Sequence, residues 1–246
     1  MAQFVLVHGS FHGAWCWERL IPLLRSRGHD VVAPNLPASG TDTAPPENVS
    51  LDAYATRIAA VIDGLAGPIV LVGHSMGGIV AAQVSERRAD RLAATVYVNG
   101  LLLGDGETLL GFLDAHADAG VEDLVLKYMR VSEDGATATF PPEAAPEVFY
   151  NTAAPADAAW AAGHLTPQRT RIYRDPLALT PAHFGRVPRF YIEGLRDNAV
   201  SIGLQRAMTA RTPCQRIYTL DVDHSPFLCQ PAAVADILEE VAGLTA

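Results

Sequence analysis

The stretch Ile69-Val70-Leu71-Val72-Gly73-His74-Ser75-Met76-Gly77-Gly78-Ile79-Val80-Ala81-Ala82-Gln83 joins a short apolar run to a helical pattern, with a serine at the joint. Residues 69–72 are uniformly apolar, as expected of a strand buried on both faces. In the G-x-S-x-G sequence of residues 73–77, glycines stand where a side chain would collide with the adjoining strand or helix. Between a strand and a helix, that pattern makes a very sharp turn. It strains the serine backbone and presents its hydroxyl at the carboxyl edge of a sheet. An ordinary glycine-rich turn shares the composition but lacks the flanking strand and helix.

The alternation of strand and helix extends in both directions. Residues 4–8 read as a buried strand, 15–25 as a helix stopped near Gly28, and 30–34 as a second strand. A loop rich in Pro, Gly and Thr fills 35–49, after which Ser50 caps a helix over 51–65. That helix carries Leu51, Tyr54, Ile58, Val61, Ile62 and Leu65 on one face. The helix after Ser75 runs to about residue 88, and a strand follows at 94–99. Further on come a strand at 189–193, a helix through 204–210, a strand at 216–220 and a terminal helix at 231–244 that opens on proline. This order predicts an α/β fold: a mostly parallel sheet with helices on both faces and right-handed crossovers. The alternation lapses between residues 100 and 186, where helices are expected around 108–119, 121–127, 144–151 and 156–162, punctuated by prolines. A structureless loop of that length does not suit a compact domain. Residues 101–185 are therefore expected to form a helical cap inserted into a core made of 1–100 and 186–246.

Bulk properties narrow the function classes. At 246 residues the chain can bury a large core, and 49% hydrophobic with 18% charged residues is a globular composition. The formal charge is −9, with 27 acidic against 18 basic side chains. No basic cluster relieves it, which argues against nucleic acid and anionic membrane as partners. The charged run at 86–91 reads as the solvated end of a helix. The first strand begins at Phe4, so no leader is expected, and no apolar run reaches transmembrane length. Cys16, Cys214 and Cys229 are an odd set without metal-type spacing, read as small buried hydrophobes in a cytoplasmic protein. No metal and no cofactor are expected. Composition sets no oligomeric state, and a homodimer is among those it allows.

A serine hydroxyl attacks a carbonyl well only when a base takes its proton and a carboxylate holds that base in one tautomer. On such a sheet the partners follow in the order serine, acid, histidine, from loops after later strands. His224, just past the strand at 216–220, fits the base. Asp197, just past the strand at 189–193, fits the acid. Glu193 and Asp223 compete for that role, but the first lies in the strand body and the second adjoins His224 too closely to face its ring. His8 and His12 are expected to bond or pack locally, and His29, His116, His164 and His183 lack partners at ligand spacing. Two backbone N–H groups must also face the developing oxyanion. Met76, following the serine, supplies one, and Ser10 in the loop His8-Gly9-Ser10-Phe11-His12-Gly13-Ala14-Trp15 is the best-placed second donor.

Together these segments resemble the α/β-hydrolase superfamily. More narrowly they resemble its plant methylesterase, polyneuridine aldehyde esterase and hydroxynitrile lyase group with bacterial relatives. The resemblance is carried by residues 4–9, His12-Gly13-Ala14-Trp15, 36–42, 73–78, Asp197, and 223–231. It implies a triad of Ser75, Asp197 and His224, with the oxyanion held by the amides of Ser10 and Met76. Lyases of this group carry threonine at the position of Gly9 and lysine at that of Ser225, whereas esterases share His74. This chain therefore sides with the esterases. A neutral Ser225 offers no positive charge to a departing anion. Asn35 and Asn99-Gly100 depart from the aspartate and Asp-Ala pair usual in the group, and are expected to alter local hydrogen bonding.

The expected activity is hydrolysis of small carboxylic esters, aryl or methyl, through an acyl-enzyme on Ser75. Gly9, Phe11 and Phe227 are expected at the substrate site, with Leu102, Phe112, Leu113, Phe149 and Trp160 as apolar lining from the cap. Two other readings stay open: a small-molecule binder or receptor that turns over slowly, and a non-hydrolytic lyase or cyclase using His224 as base.

Overall fold

The computed structural model describes residues 1–116 and 123–245. Strands β1 (Gln3–Val7), β2 (Asp30–Val32), β3 (Ile69–His74), β4 (Leu92–Val98), β8 (Arg189–Gly194) and β9 (Arg216–Leu220) form a six-stranded sheet in the order β2-β1-β3-β4-β8-β9. Every pairing in it is parallel. Successive side chains of a strand face opposite ways, so Phe4 and Leu6 enter one core with Val70 and Val72, while Val5 and Val7 enter the other with Ile69 and Leu71. Helices α1 (Leu20–Ser26) and α10 (Pro231–Leu244) supply the first core, and α2 (Leu51–Asp63) and α3 (Gly77–Arg87) the second. This is the α/β hydrolase architecture.

The strand order runs from β1 to β2 on one side and then returns to β3 on the other, so β1 and β3 flank the point where the winding reverses. Loops leaving the carboxyl ends of two such strands diverge and open a crevice. One of those loops carries Ser10 and the other carries Ser75.

Several element boundaries differ from the sequence expectation. The helix expected over 15–25 divides into a 3-10 turn (Ala14–Trp17) and α1. Pro22 explains the restart: with no N–H to give, it is tolerated only in a first turn, where that donor would be unused. The segment between β4 and β8 holds α4 (Leu109–Ala115), α5 (Leu124–Tyr128), α6 (Ala145–Val148) and α7 (Pro155–Ala162). It also contains an antiparallel sheet of β5 (Arg130–Val131), β6 (Thr137–Thr139) and β7 (Gln168–Arg169), which the expectation of helices alone omitted. Strands of two or three residues are too short to show alternation. The expected helices at 108–119 and 121–127 run in part over 117–119 and 121–122, which lie outside the described residues. The core helix α8 (Ile202–Arg211) precedes β9, and a short α9 (Pro226–Cys229) precedes α10. No helix of the described residues is long and apolar enough to cross a membrane.

Candidate active site

Ser75 sits at the tip of the β3–α3 turn with φ +52°, in the left-handed region that costs a non-glycine residue energy. Backbone bonds hold it there: its N–H donates to Val98 O, and its carbonyl accepts from Gly78 and Leu101. The flanking glycines are steric necessities. A Cβ on Gly73 would lie 2.6 Å from Gly77 O, and one on Gly77 would lie 2.5 Å from Val7 O. Helix α3 begins without a side-chain cap, and the amides of Gly78 and Ile79 in its first turn donate to the carbonyls of Ser75 and Met76.

His224 and Asp197 are both almost wholly buried, and His224 Nδ1 lies 2.8 Å from Asp197 Oδ2. The ring therefore donates from Nδ1 to the carboxylate. Asp197 is itself held on both oxygens: Oδ1 accepts from the amides of Ala199 and Val200, each at 2.8 Å, and Oδ2 also accepts from Gln205 Nε2 at 3.2 Å. Gln205, fully buried on α8, further bonds both backbone groups of Gly194 and the carbonyl of Val200. The competing carboxylates are committed elsewhere. Glu193 binds Arg206 and Thr219, and Asp223 accepts from the amides of Thr152 and Ser225.

His74 donates from Nε2 to the carbonyl of His224 at 2.9 Å, with ring centroids 4.6 Å apart. Burial pushes its pKa well below the ordinary imidazole value, so the ring stays neutral beside His224. Just past β1, His8 donates from Nδ1 to Gly9 O at 2.9 Å and accepts from the Leu36 amide at 3.1 Å. Asn35 accepts from the Ala14 amide and donates to Thr41, a pairing of roles that aspartate could not fill. Asn99 adopts φ +44° and donates to Asp223 O, tying β4 to the approach of His224.

A cavity opens onto this cluster, with Ser10, Phe11, Ser75, Met76 and His224 in its wall. Neither the Ser10 nor the Met76 amide has a hydrogen-bond partner among the described residues. Leu109, Leu110, Leu113, Val125, Met129 and Phe149 make most of the remaining lining apolar. Asp123 also lines it, capping α5 through Leu126 N, and burial raises its pKa.

Of the residues expected at the substrate, Phe11, Leu113 and Phe149 line the cavity. Gly9 instead packs behind the serine: a Cβ there would lie 2.8 Å from Ser75 Cβ. Phe227 is not in the wall. Its ring packs 4.6 Å from Trp17 and 4.7 Å from His74, making it a support beneath the site. Leu102 and Phe112 are buried in the core and Trp160 packs edge-on against Trp15, so these three also lie off the cavity. Gln205, and Tyr173 in the cavity wall, were not anticipated. A single polar residue in a helix gives no sequence signal of what it faces.

Residues 4–237 match the model of the Alpha/beta hydrolase family. The chain is 30% identical to "Putative methylesterase 11, chloroplastic" of Arabidopsis thaliana over 99% of its own length and 64% of that protein. It spans 57% and 56% of two further Arabidopsis methylesterases, so it covers little more than half the length of the relatives it first matches. It is 28% identical to "Methyl jasmonate esterase 1" of Vitis vinifera, covering 97% of this chain and 96% of that one. A pyrethroid hydrolase structure from Sphingobium faniae JZ-2 superposes with a TM-score of 0.87 at 25% identity, covering 98% of this chain and 97% of the other. With the family model matched from the first strand into the last helix, this chain belongs to the alpha/beta hydrolase family.

Proposed function

We propose that the protein is a cofactor-independent serine hydrolase of small, uncharged carboxylic esters. One observation carries the reading: a strained serine, a histidine bonded to a buried aspartate, and two unpartnered amides converge on one apolar cavity. Ser75 attacks the ester carbonyl as His224 takes its proton, and Asp197 stabilises the imidazolium that forms. The amides of Ser10 and Met76 receive the oxyanion. Collapse of the tetrahedral intermediate expels the alcohol with the proton from His224, leaving an acyl group on Ser75. Water, deprotonated by His224, then releases the acid. The names of the relatives, methylesterases and a methyl jasmonate esterase among them, support ester cleavage.

The apolar wall suits an aryl or alkyl group, while Asp123 disfavours an anionic one. Residues 101–185, which supply most of that wall, are read as the cap that sets the substrate. A cytoplasmic location remains part of the proposal, to be tested by cell fractionation. The deciding experiment is steady-state hydrolysis of p-nitrophenyl acetate. Continued turnover that drops at least ~10³-fold in Ser75→Ala supports the esterase. A burst of one equivalent with no further release would point to a slow binder instead.

A further inference from the structure

The oxyanion amide at Ser10 lies in a loop that the sheet alone does not hold. Phe11 adopts φ +64°, a strained conformation for an aromatic residue, and its carbonyl accepts from the amide of Thr166 at 2.8 Å. Each peptide plane flanking Ser10 is gripped by a histidine. His8 holds Gly9 O from the core side. His12 Nδ1 holds Ser10 O at 2.7 Å, and its Nε2 lies 2.8 Å from the Tyr150 hydroxyl. All three side chains are almost completely buried.

The chemistry of the partners fixes the proton positions. A carbonyl only accepts, so His12 must donate from Nδ1. Burial lowers its pKa to about 3, so the ring is neutral and Nε2 carries a lone pair. Nε2 therefore accepts from Tyr150, whose hydroxyl stays protonated because burial raises its pKa. Without that donor, the other tautomer of His12 would present a lone pair to the Ser10 carbonyl. The two would then repel each other.

We propose, building on the esterase reading above, that Tyr150 is a positioning residue. By locking His12 in its Nδ1–H tautomer across a sequence separation of 138 residues, it holds the Ser10 amide on the developing oxyanion. The residue comes from the 101–185 segment, so the segment that walls the cavity also sets the electrostatics of catalysis. Removing one oxyanion donor outright costs roughly 10²–10³ in kcat, which bounds the effect of misaiming one.

The test compares Tyr150→Phe, His12→Leu and His12→Asn with the wild type on p-nitrophenyl acetate. Asparagine keeps an N–H donor where Nδ1 stood, whereas leucine has none. Expected are a fall in kcat of about tenfold for Tyr150→Phe and up to ~10²-fold for His12→Leu, with KM within a factor of two. His12→Asn should recover most of the loss. Binding of a boronic acid transition-state analogue should weaken in proportion to kcat/KM. Melting temperatures, measured in parallel, confirm that each variant is folded. If folded Tyr150→Phe and His12→Leu keep wild-type kcat, or if His12→Asn is as impaired as His12→Leu, the positioning role is overturned. The esterase reading would survive either result, because it stands or falls with Ser75→Ala.

Discussion

Gln205 lies outside the cavity wall yet holds the proposed catalytic acid. Its amide bonds the Asp197 carboxylate, the Val200 carbonyl and both backbone groups of Gly194, so one side chain closes the loop that presents the acid. Leucine has a similar size but makes none of these bonds, and it would leave buried polar groups of the loop unpaired. Gln205→Leu is expected to lower kcat roughly 10–100-fold, short of the ~10⁴-fold loss that follows when a triad aspartate cannot orient its histidine. KM should hardly change. A kinetic constant equal to wild type, in a variant that melts normally, would show that the two loop amides suffice to hold Asp197. His74 works comparably from the other side by fixing the backbone of His224 rather than its ring.

At the scale of elements, the β3–α3 turn sets the position of every other part. Val7 O and His8 O stand within 2.7 Å of where a Cβ on Gly77 would fall, and both are backbone atoms that cannot rotate aside. Gly77→Ala must therefore push α3 away from the end of β1, the strand that leads into the Ser10 loop. The expected cost is about 1–3 kcal/mol, read as a lower urea midpoint. Activity should fall further than stability, since the Ser10 and Met76 amides no longer converge. A variant with unchanged midpoint and activity would mean that the close approach of strand and helix is not needed. The same turn gains from α3 itself, whose N-terminus puts the positive end of the helix dipole beside Ser75.

For the whole molecule, buried neutral histidines link stability to pH. His8 is lowered to about 4 and His12 to about 3, both by burial. The unfolded chain takes up protons on these residues as pH falls through about 6.5, while the folded chain does not until the lowered values are reached. Their contribution is thus complete above pH 6.5 and is lost as pH falls towards 4 and then 3. Each adds a slope of about 1.4 kcal/mol per pH unit within that window. Melting temperature should decline steadily between pH 6.5 and 4.5. His8→Asn, which retains a donor for the Gly9 carbonyl, should flatten the decline by about one proton's worth. A wild-type melting temperature constant over that range would contradict the linkage.

Sequence by itself determined the sheet and its helices, and it singled out Ser75, Asp197 and His224 for the proposed triad. Those features are written in short-range patterns: runs of apolar residues, a pentapeptide that only one kind of turn accommodates, and loops that follow strands. The antiparallel strands β5, β6 and β7 were too short to leave a pattern, and Phe227 could be assigned to the core only once its neighbours Trp17 and His74 were known. Only the tertiary structure decided which side chains hold the groups proposed to react. His74 reaches His224 across 150 residues, and Tyr150 reaches His12 across 138. Hydrogen bonds of that range depend on packing among elements far apart in the chain, and local sequence carries no trace of them.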